Sequence, residues 1–279
     1  MKNILLIKNI KVNNANALSS PYTIGMPSIT SFLGFSHALQ LKVNDKIKEF
    51  KVKSCGIAIH DIDLQTYKNR KDYHKSILGI SSPLKKDGTN ASFVEDPTCK
   101  MNVSLLIEYS GINKDNEDFA LQTINSMLHC MKLSSGDIIS FKKPEFICVI
   151  DDKSLSKLMK KIMPSNLLTD RSDLINYKYN NFDEILDYLV IKNYYNEDDK
   201  QWKSKRKESG WLIPISIGYK AISDVCIAKN QRCYKHEHRF AESLITICEC
   251  IMSYKIDDID DILWHHENEN DLYICKTNN

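Results

Sequence analysis

The side chains in this sequence that could do chemistry are amides, hydroxyls and cations rather than a catalytic set. Asn13, Asn14, Asn16, Ser19 and Ser20 crowd one short stretch that runs on to Gly25. Amides and hydroxyls donate and accept at once, so they suit 2′-hydroxyls, phosphates and base edges, whereas a lysine supplies only donors and charge. A second group is cationic. Arg70, Lys71, Lys75, Lys85 and Lys86 lie in a segment, residues 62–100, where basic residues outnumber acids and Tyr67, Tyr73 and Phe93 are interspersed. Such a segment can neutralise a nucleic-acid backbone. The third group is aromatic. Trp202 sits in a basic run (Lys200, Lys203, Lys205, Arg206, Lys207), and Trp211 and Tyr219 follow. Each ring could stack on a splayed base at about 1–3 kcal/mol. The competing role is a core or interface ring, and Trp211-Leu212-Ile213 reads as buried.

Catalytic patterns are missing. RNA cleavage by general acid and base needs a base near the 2′-OH, a proton donor for the leaving oxygen and charge stabilisation on the phosphate. His37 is the obvious candidate base, yet it falls among Leu33, Phe35 and Leu39 on an apolar helix, where a histidine packs more often than it reacts. His60-Asp61 ends a strand, and adjacent strand residues point to opposite faces, so a hydrogen-bonded structural histidine is expected. His236-Glu237-His238 and His265-His266 lack metalloprotease spacing, and no cysteine pair has zinc-ligand spacing. No phosphate-cradling glycine loop or nucleophile elbow occurs. The expectation is no metal, no cofactor and no enzyme.

Composition sets the outer limits. The 279 residues, 42% hydrophobic and 27% charged, allow one large or two modest domains with an ordinary core. A net charge of +2 does not by itself demand a nucleic-acid partner. The nine cysteines are odd in number and scattered, with Cys248 and Cys250 as a lone C-x-C. They read as free thiols in a reducing compartment. No signal peptide or membrane span is apparent, so a soluble, cytoplasmic chain without membrane contact is expected.

The elements that must position these groups follow from periodicity. A strand is predicted over 3–12, and a helix over 28–42 from Ile29, Phe32, Leu33 and Leu39, with Pro27 and Ser28 at its start. A strand opening through Asn, Ser and Gly into a helix N-terminus aims N–H groups at one point suited to a phosphate. The alternative is a long polar loop that binds nothing. Further strands are predicted over 51–61, 103–109 and 146–150, with a helix over 115–133 stopped by Ser134-Ser135-Gly136. Residues 62–100 form a basic hairpin with Asp87-Gly88 as a turn. The order β-α-β-insert-β-α-β is that of an α+β, ferredoxin-like, RRM-type domain over 1–150 with a basic thumb. Residues 151–279 read as a helical addition: helices over 155–163 and 182–191, a returning strand over 211–219 in which Pro214 marks an edge or bulge, and a last long helix over 239–254. An acidic end follows (Asp257, Asp258, Asp260, Asp261, Glu267, Glu269, Asp271), suited to a basic neighbour or simply solvated.

Two blocks carry a family resemblance. Asn14-Ala15-Asn16-Ala17, Ser19-Ser20-Pro21, Gly25, Pro27, Phe32, Gly34-Phe35 and His37-Ala38-Leu39 form the first. Gly210-Trp211-Leu212-Ile213-Pro214-Ile215 with Gly218-Tyr219 and Ala221 form the second. Together they resemble the type I-F CRISPR surveillance-complex subunit that caps the 5′ end of the guide RNA (Csy-two, a Cas-five-type or RAMP protein). Where that family tends to carry an aromatic after His-Asp, this chain has Ile62 and Asp63. The resemblance implies a non-catalytic subunit, a separate endoribonuclease doing the cutting. It implies crRNA 5′-handle contacts by Asn13, Asn14, Asn16, Ser19, Ser20 and Gly25. Its partners would be the large subunit as a heterodimer, the first backbone subunit and, through the complex, target double-stranded DNA. The second possibility is a metal-independent endoribonuclease acting on precursor crRNA through His37, and the third a protein-only interaction module.

Overall fold

The N-terminal apolar run becomes β1 (Lys2–Asn16), which continues beyond the expected 3–12 and takes Asn13 to Asn16 with it. Leu5 and Ile7 enter one buried layer and Ile4 and Leu6 another. A strand buried on both faces reads as an unbroken apolar run rather than an alternation. The computed structural model describes residues 1–80, 86–89, 96–175, 182–227, 229, 231 and 233–278.

After β1 come a small hairpin, β2 (Leu18–Ser20) and β3 (Thr23–Ile24), and then α1 (Ile29–Asn44). Phe32, Phe35, Leu39 and Val43 carry the buried stripe of α1. Ser28 occupies the N-cap position, but its hydroxyl pairs with that of Thr30 (2.9 Å) rather than with a helix N–H. β4 (Lys51–Leu64), β5 (Asp96–Ser110), α2 (Glu117–Leu128), β6 (Gly136–Ser140) and β7 (Glu145–Val149) complete the first half. The antiparallel order is β4-β5-β1-β7, with β6 also pairing the far end of β1. α1 and α2 share one core with Cys55, Ile57, Val103, Leu105 and Ile107 of the sheet.

Two boundaries differ from expectation. α2 stops at Leu128, not 133, because Lys132–Leu133 pairs with the start of β6. Ser134 and Ser135, at φ of 51° and 67°, make the turn between them, which is hairpin rather than helix-stop geometry. The thumb is also shorter than 62–100, since β4 and β5 extend into it from both sides. Of its described part, Thr66–Tyr67 pairs with Ser76–Ile77, and Gly79–Ile80 pairs with the start of β5. Asp87-Gly88 is a turn, with Thr89 N–H and Oγ1 donating to Asp87 Oδ1 (3.0 and 2.7 Å). Lys85 and Phe93 lie outside the described residues.

The second half departs more. α3 (Asp152–Ile162) begins on a capping box between Asp151 and Ser154 and packs Leu155, Leu158, Met159 and Ile162 on the face opposite α1 and α2, against Ile4, Leu6, Ala58 and Leu106. β8 (Asn166–Asp170), α4 (Phe182–Leu189), the ribbon β9 (Lys192–Asn196) and β10 (Gln201–Lys205), β11 (Leu212–Ala221), β12 (Ala241–Met252), β13 (His265–Glu269) and β14 (Leu272–Lys276) follow. The long helix expected over 239–254 is therefore strand β12. Its Ile245-Thr246-Ile247 core is β-branched and it lies between β8 and β11. A doubly covered strand shows no clean period, so sequence pattern alone cannot separate it from a buried helix. The addition expected to be helical is mostly sheet, and Lys200 to Lys205 belong to a ribbon, not a loop. The described residues form one twelve-stranded sheet in which β8 pairs β4 on one side and β12 on the other. Pro214 lies in the part of β11 that pairs β12 only, and a register shift falls between Ser216 and Gly218, so edge and bulge both occur.

The acidic end is not a free tail. Asp260 pairs Lys2 (2.6 Å), Glu267 and Glu269 pair Lys276, and Asp271 pairs Arg239 (2.8 Å). The segment 253–264 lays Ile256, Ile259, Ile262 and Leu263 over the α3 face, and fully buried Trp264 donates its Nε1–H to the Leu168 carbonyl (3.1 Å).

Candidate nucleic-acid interface

An RRM-type sheet that binds RNA presents aromatic rings on its helix-free face. Here that face carries Ile4, Leu6, Ala58 and Leu106, and α3 with residues 256–263 closes it. A ligand must go elsewhere, to the loops and edges.

The amide and hydroxyl stretch is more structured than a loop. Register shifts in the β1–β5 pairing flank Lys8–Asn9 and Asn13–Asn14, and Asn9 and Asn14 hold φ of 53° and 55°. These are left-handed positions that asparagine tolerates better than other L-residues. The amides are accordingly used within the chain. Gln65 Nε2 donates to Asn14 Oδ1 (2.9 Å), and the Leu18 N–H to Asn16 Oδ1 (2.8 Å). Ser19 and Ser20 hydroxyls both meet Thr23 Oγ1 (2.6 and 2.7 Å), and Ser20 is buried. Asn13 Oδ1 is shut from solvent and meets no partner among the described residues. Gly136 makes this bend possible: a Cβ there would sit 2.6 to 2.7 Å from Val12 Cγ1, Ala15 N and Asn13 O.

Gly25 leads to a cleft. With φ of 141° it turns the chain from β3 into α1 where a side chain would be strained. Ile24, Gly25 and Met26 line this cleft of about 460 Å³ together with Trp211, Ile213 and Pro214. The floor comes from Ile59 to Ile62 and Leu64 of β4 with Asn166 and Cys250. Segments nearly two hundred residues apart thus line one cleft, although β8 and β12 lie between β4 and β11 in the sheet. Apolar walls suit the face of a flat ring, and His60, Asp61 and Asn166 can meet its edge. Trp211, expected to be buried, is 62% exposed at the mouth. Its carbonyl accepts from the Cys250 N–H (2.9 Å), which holds the strand and leaves the indole at the cleft.

The chemistry of the lining is recognition. His60, expected to be structural, is so: Nδ1 bonds the Pro164 carbonyl (2.8 Å) and Nε2 the Ser104 hydroxyl (2.7 Å), which itself accepts the Asn9 N–H (2.9 Å). A carbonyl only accepts, so Nδ1 carries a proton, and the Ser104 hydrogen can serve Nε2. Burial and the neighbouring Glu249 push the Cys250 thiol up to about 11, so it stays protonated. Among the described residues no group of three His, Cys, Asp or Glu side chains could hold a metal ion.

Other candidates are dispersed. Arg70, Lys71 and Lys75 are exposed on the hairpin rooted at Gln65, whose contact with Asn14 ties the thumb to the amide stretch; Lys86 is exposed in the 86–89 turn. Trp202 is 74% exposed on the β9–β10 ribbon. Tyr219 is 41% exposed at the far end of β11, about 26 Å along the strand from Trp211. These rings do not form one platform. His37 is exposed on α1, neither packed as expected nor lining the cleft. Asn166, Ile24 and Met26 went unnoticed in the sequence, because nothing in their local pattern marks them.

The family model described as "CRISPR-associated protein (Cas_Csy2)" matches residues 5–275. The chain is also similar to "CRISPR-associated protein Csy2" of Pseudomonas aeruginosa (strain UCBPP-PA14), 27% identical over 313 residues covering 98% of this chain and 95% of that protein.

Proposed function

We propose, from the premise that this chain belongs to the Csy2 family of CRISPR-associated proteins, that it is a non-catalytic RNA-binding subunit of a type I-F surveillance complex. It grips the crRNA 5′ handle beside the large subunit, meets the first backbone subunit, and supports recognition of target double-stranded DNA from the cytoplasm. The observation that carries this reading is the convergence of the two resembling blocks, through Gly25 of the first and Trp211, Ile213 and Pro214 of the second, on one cleft. A volume of this size accepts a nucleobase or a short run of ligand atoms.

In this reading the order β4-β5-β1-β7 with α1 and α2 on one face is a ferredoxin-like, RRM-type (RAMP) domain. The thumb cations Arg70, Lys71, Lys75, Lys85 and Lys86 neutralise backbone phosphates, while the Asn13–Ser20 stretch shapes the ledge leading into the cleft. The engaged amides hold this stretch in place, and the exposed edges of Asn14 and Asn16 remain for the RNA. Cutting is left to another protein in this reading: His60, the histidine that lines the cleft, has both ring nitrogens committed and is not free to act as a general base.

The test is binding of handle RNA across a salt series by the lone chain and by its heterodimer with the large subunit. With a net charge of only +2, the lone chain is expected to bind weakly and the heterodimer tightly, and Trp211→Ala to weaken the heterodimer's binding by about 5- to 150-fold. Equal affinity of the lone chain contradicts the shared grip. Cleavage of repeat RNA in EDTA that vanishes in His37→Ala would favour the endoribonuclease instead.

A further inference from the structure

The β9–β10 ribbon carries chemistry that the cleft does not use. It pairs with no other described strand, so its outer edges are unpaired, and most of its residues are exposed. Register places Tyr195 opposite Trp202 on one face, and Tyr194 opposite Lys203 and Lys192 opposite Lys205 on the other. Ring centroids of Tyr195 and Trp202 lie 5.7 Å apart at 65°, an edge-to-face pair that fixes the indole while leaving it 74% exposed. Asn193 and Ser204 share a 2.7 Å hydrogen bond beside the pair. A ring held in place yet left in solvent stabilises no core.

Charge says what suits it. Lys203 pairs Asp199 and Lys192 pairs Asp187, but these contacts are exposed and easily exchanged for phosphate. Acids Glu197, Asp198 and Asp199 are confined to the ribbon's tip. Toward its root run Lys205, Arg206 and Lys207, beginning about 10 Å along the strand from Trp202. Lys207 is held over the Tyr188 ring (3.9 Å) and Arg206 Nη1 donates to the Gly210 carbonyl (3.0 Å), so the root is ordered.

We propose that this ribbon docks single-stranded nucleic acid, with an unpaired base on Trp202 and the adjoining phosphates crossing the unpaired edge of β10 to Lys203 and Lys205, which reach that edge from the opposite face. Only an unstacked base can offer its face to the indole, and lysines follow phosphate without reading sequence. The site is separate from the cleft, whose lining includes no residue of the ribbon, and it needs no handle sequence.

Intrinsic fluorescence tests this on the full chain at low salt. Of the three tryptophans, Trp202 and Trp211 are exposed and Trp264 is buried. Dodecamers of deoxythymidine and of uridine, titrated in separate arms, distinguish DNA from RNA as the source of the strand. Quenching is expected in the wild type and in Trp211→Phe, with apparent affinity falling about 5- to 150-fold in Trp202→Ala, followed by oligonucleotide anisotropy. Lys205→Ala is expected to lower the slope of log affinity against log salt by about 0.7. Unchanged Trp264 emission and circular dichroism show that each variant is folded, and should Trp202→Ala fail this, Trp202→Leu and Lys205→Ala carry the test. Binding that survives Trp202→Ala but is lost in Trp211→Ala assigns the strand to the cleft and overturns the proposal. So does the absence of wild-type binding to either dodecamer, or equal binding to a blunt duplex of the same length.

Discussion

At the residue scale, the polar side chains expected to touch a ligand are in large part used to shape the chain. Asn14 sits in a left-handed bulge, Asn16 caps its own turn, and Ser19 and Ser20 tie down the β2–β3 hairpin. Amides and hydroxyls suited to RNA are also those suited to turns, so residue type alone cannot apportion them. Charge behaves more simply at Glu145, which joins Lys8 (2.9 Å) and Lys161 beneath β7 and α3. Burial pushes its carboxyl up, but the bonds from Lys161 and Lys8 outweigh that and hold it below its ordinary value of 4.5. The folded chain thus binds this proton less tightly than the unfolded one, so the stabilisation is complete above 4.5 and disappears as pH falls through the lower folded value. Glu145→Gln is expected to cost about 1 kcal/mol or less at pH 7 and to flatten the acid limb of urea midpoint against pH. An unaltered limb would show that this group contributes nothing there.

At the element scale, α3 has the largest consequence for function, because it closes the sheet face on which an RRM-type protein would stack bases. It is legible in the sequence: Leu155, Leu158, Met159 and Ile162 make one stripe, and Asp151 with Ser154 marks its start. Where that stripe goes is not legible, since a stripe specifies only that something must cover it. Leu158 is fully buried, and Leu158→Ala should lower stability by about 2–5 kcal/mol in urea denaturation. If α3 were a loosely attached addition, the loss would be a few tenths and confined to local unfolding. β12 gives the opposite lesson. Its apolar residues at mixed spacing suit a buried helix as well as a strand, and only two flanking strands with unpaired ladders, β8 and β11, decide for the strand.

At the scale of the whole molecule, one sheet ties the two halves together, and its burial pattern sorts the nine cysteines. Cys55, Cys99, Cys248 and Cys275 are buried, while Cys130, Cys148 and Cys226 are exposed. Burial pushes the thiols of Cys55 and Cys275 up to about 12, so these are doubly protected from alkylation. A maleimide at pH 7 should modify the three exposed thiols in the folded chain and the buried four only after urea is added, read by mass spectrometry of peptides. Early labelling of Cys55 or Cys275 would mean that β4 or β14 is not packed as described. The same sheet sets what the molecule can bind, because residues of β4, β8, β12 and β11 together line the cleft, whereas the ribbon lies outside it.

The sequence alone carried the first half of the fold: strand, helix, strand, insert, strand, helix and strand follow from apolar periods that local physics reads directly. It also carried the two blocks on which the family resemblance rests, and the family model matches residues 5–275. Tertiary structure decided that β12 is a strand, that α3 and the acidic C-terminal segment cover the second face, and that Gly25, His60, Asn166 and Trp211 line one cleft. These outcomes depend on which long-range partner satisfies a backbone ladder or an apolar face, and no local pattern of side chains encodes the partner's identity.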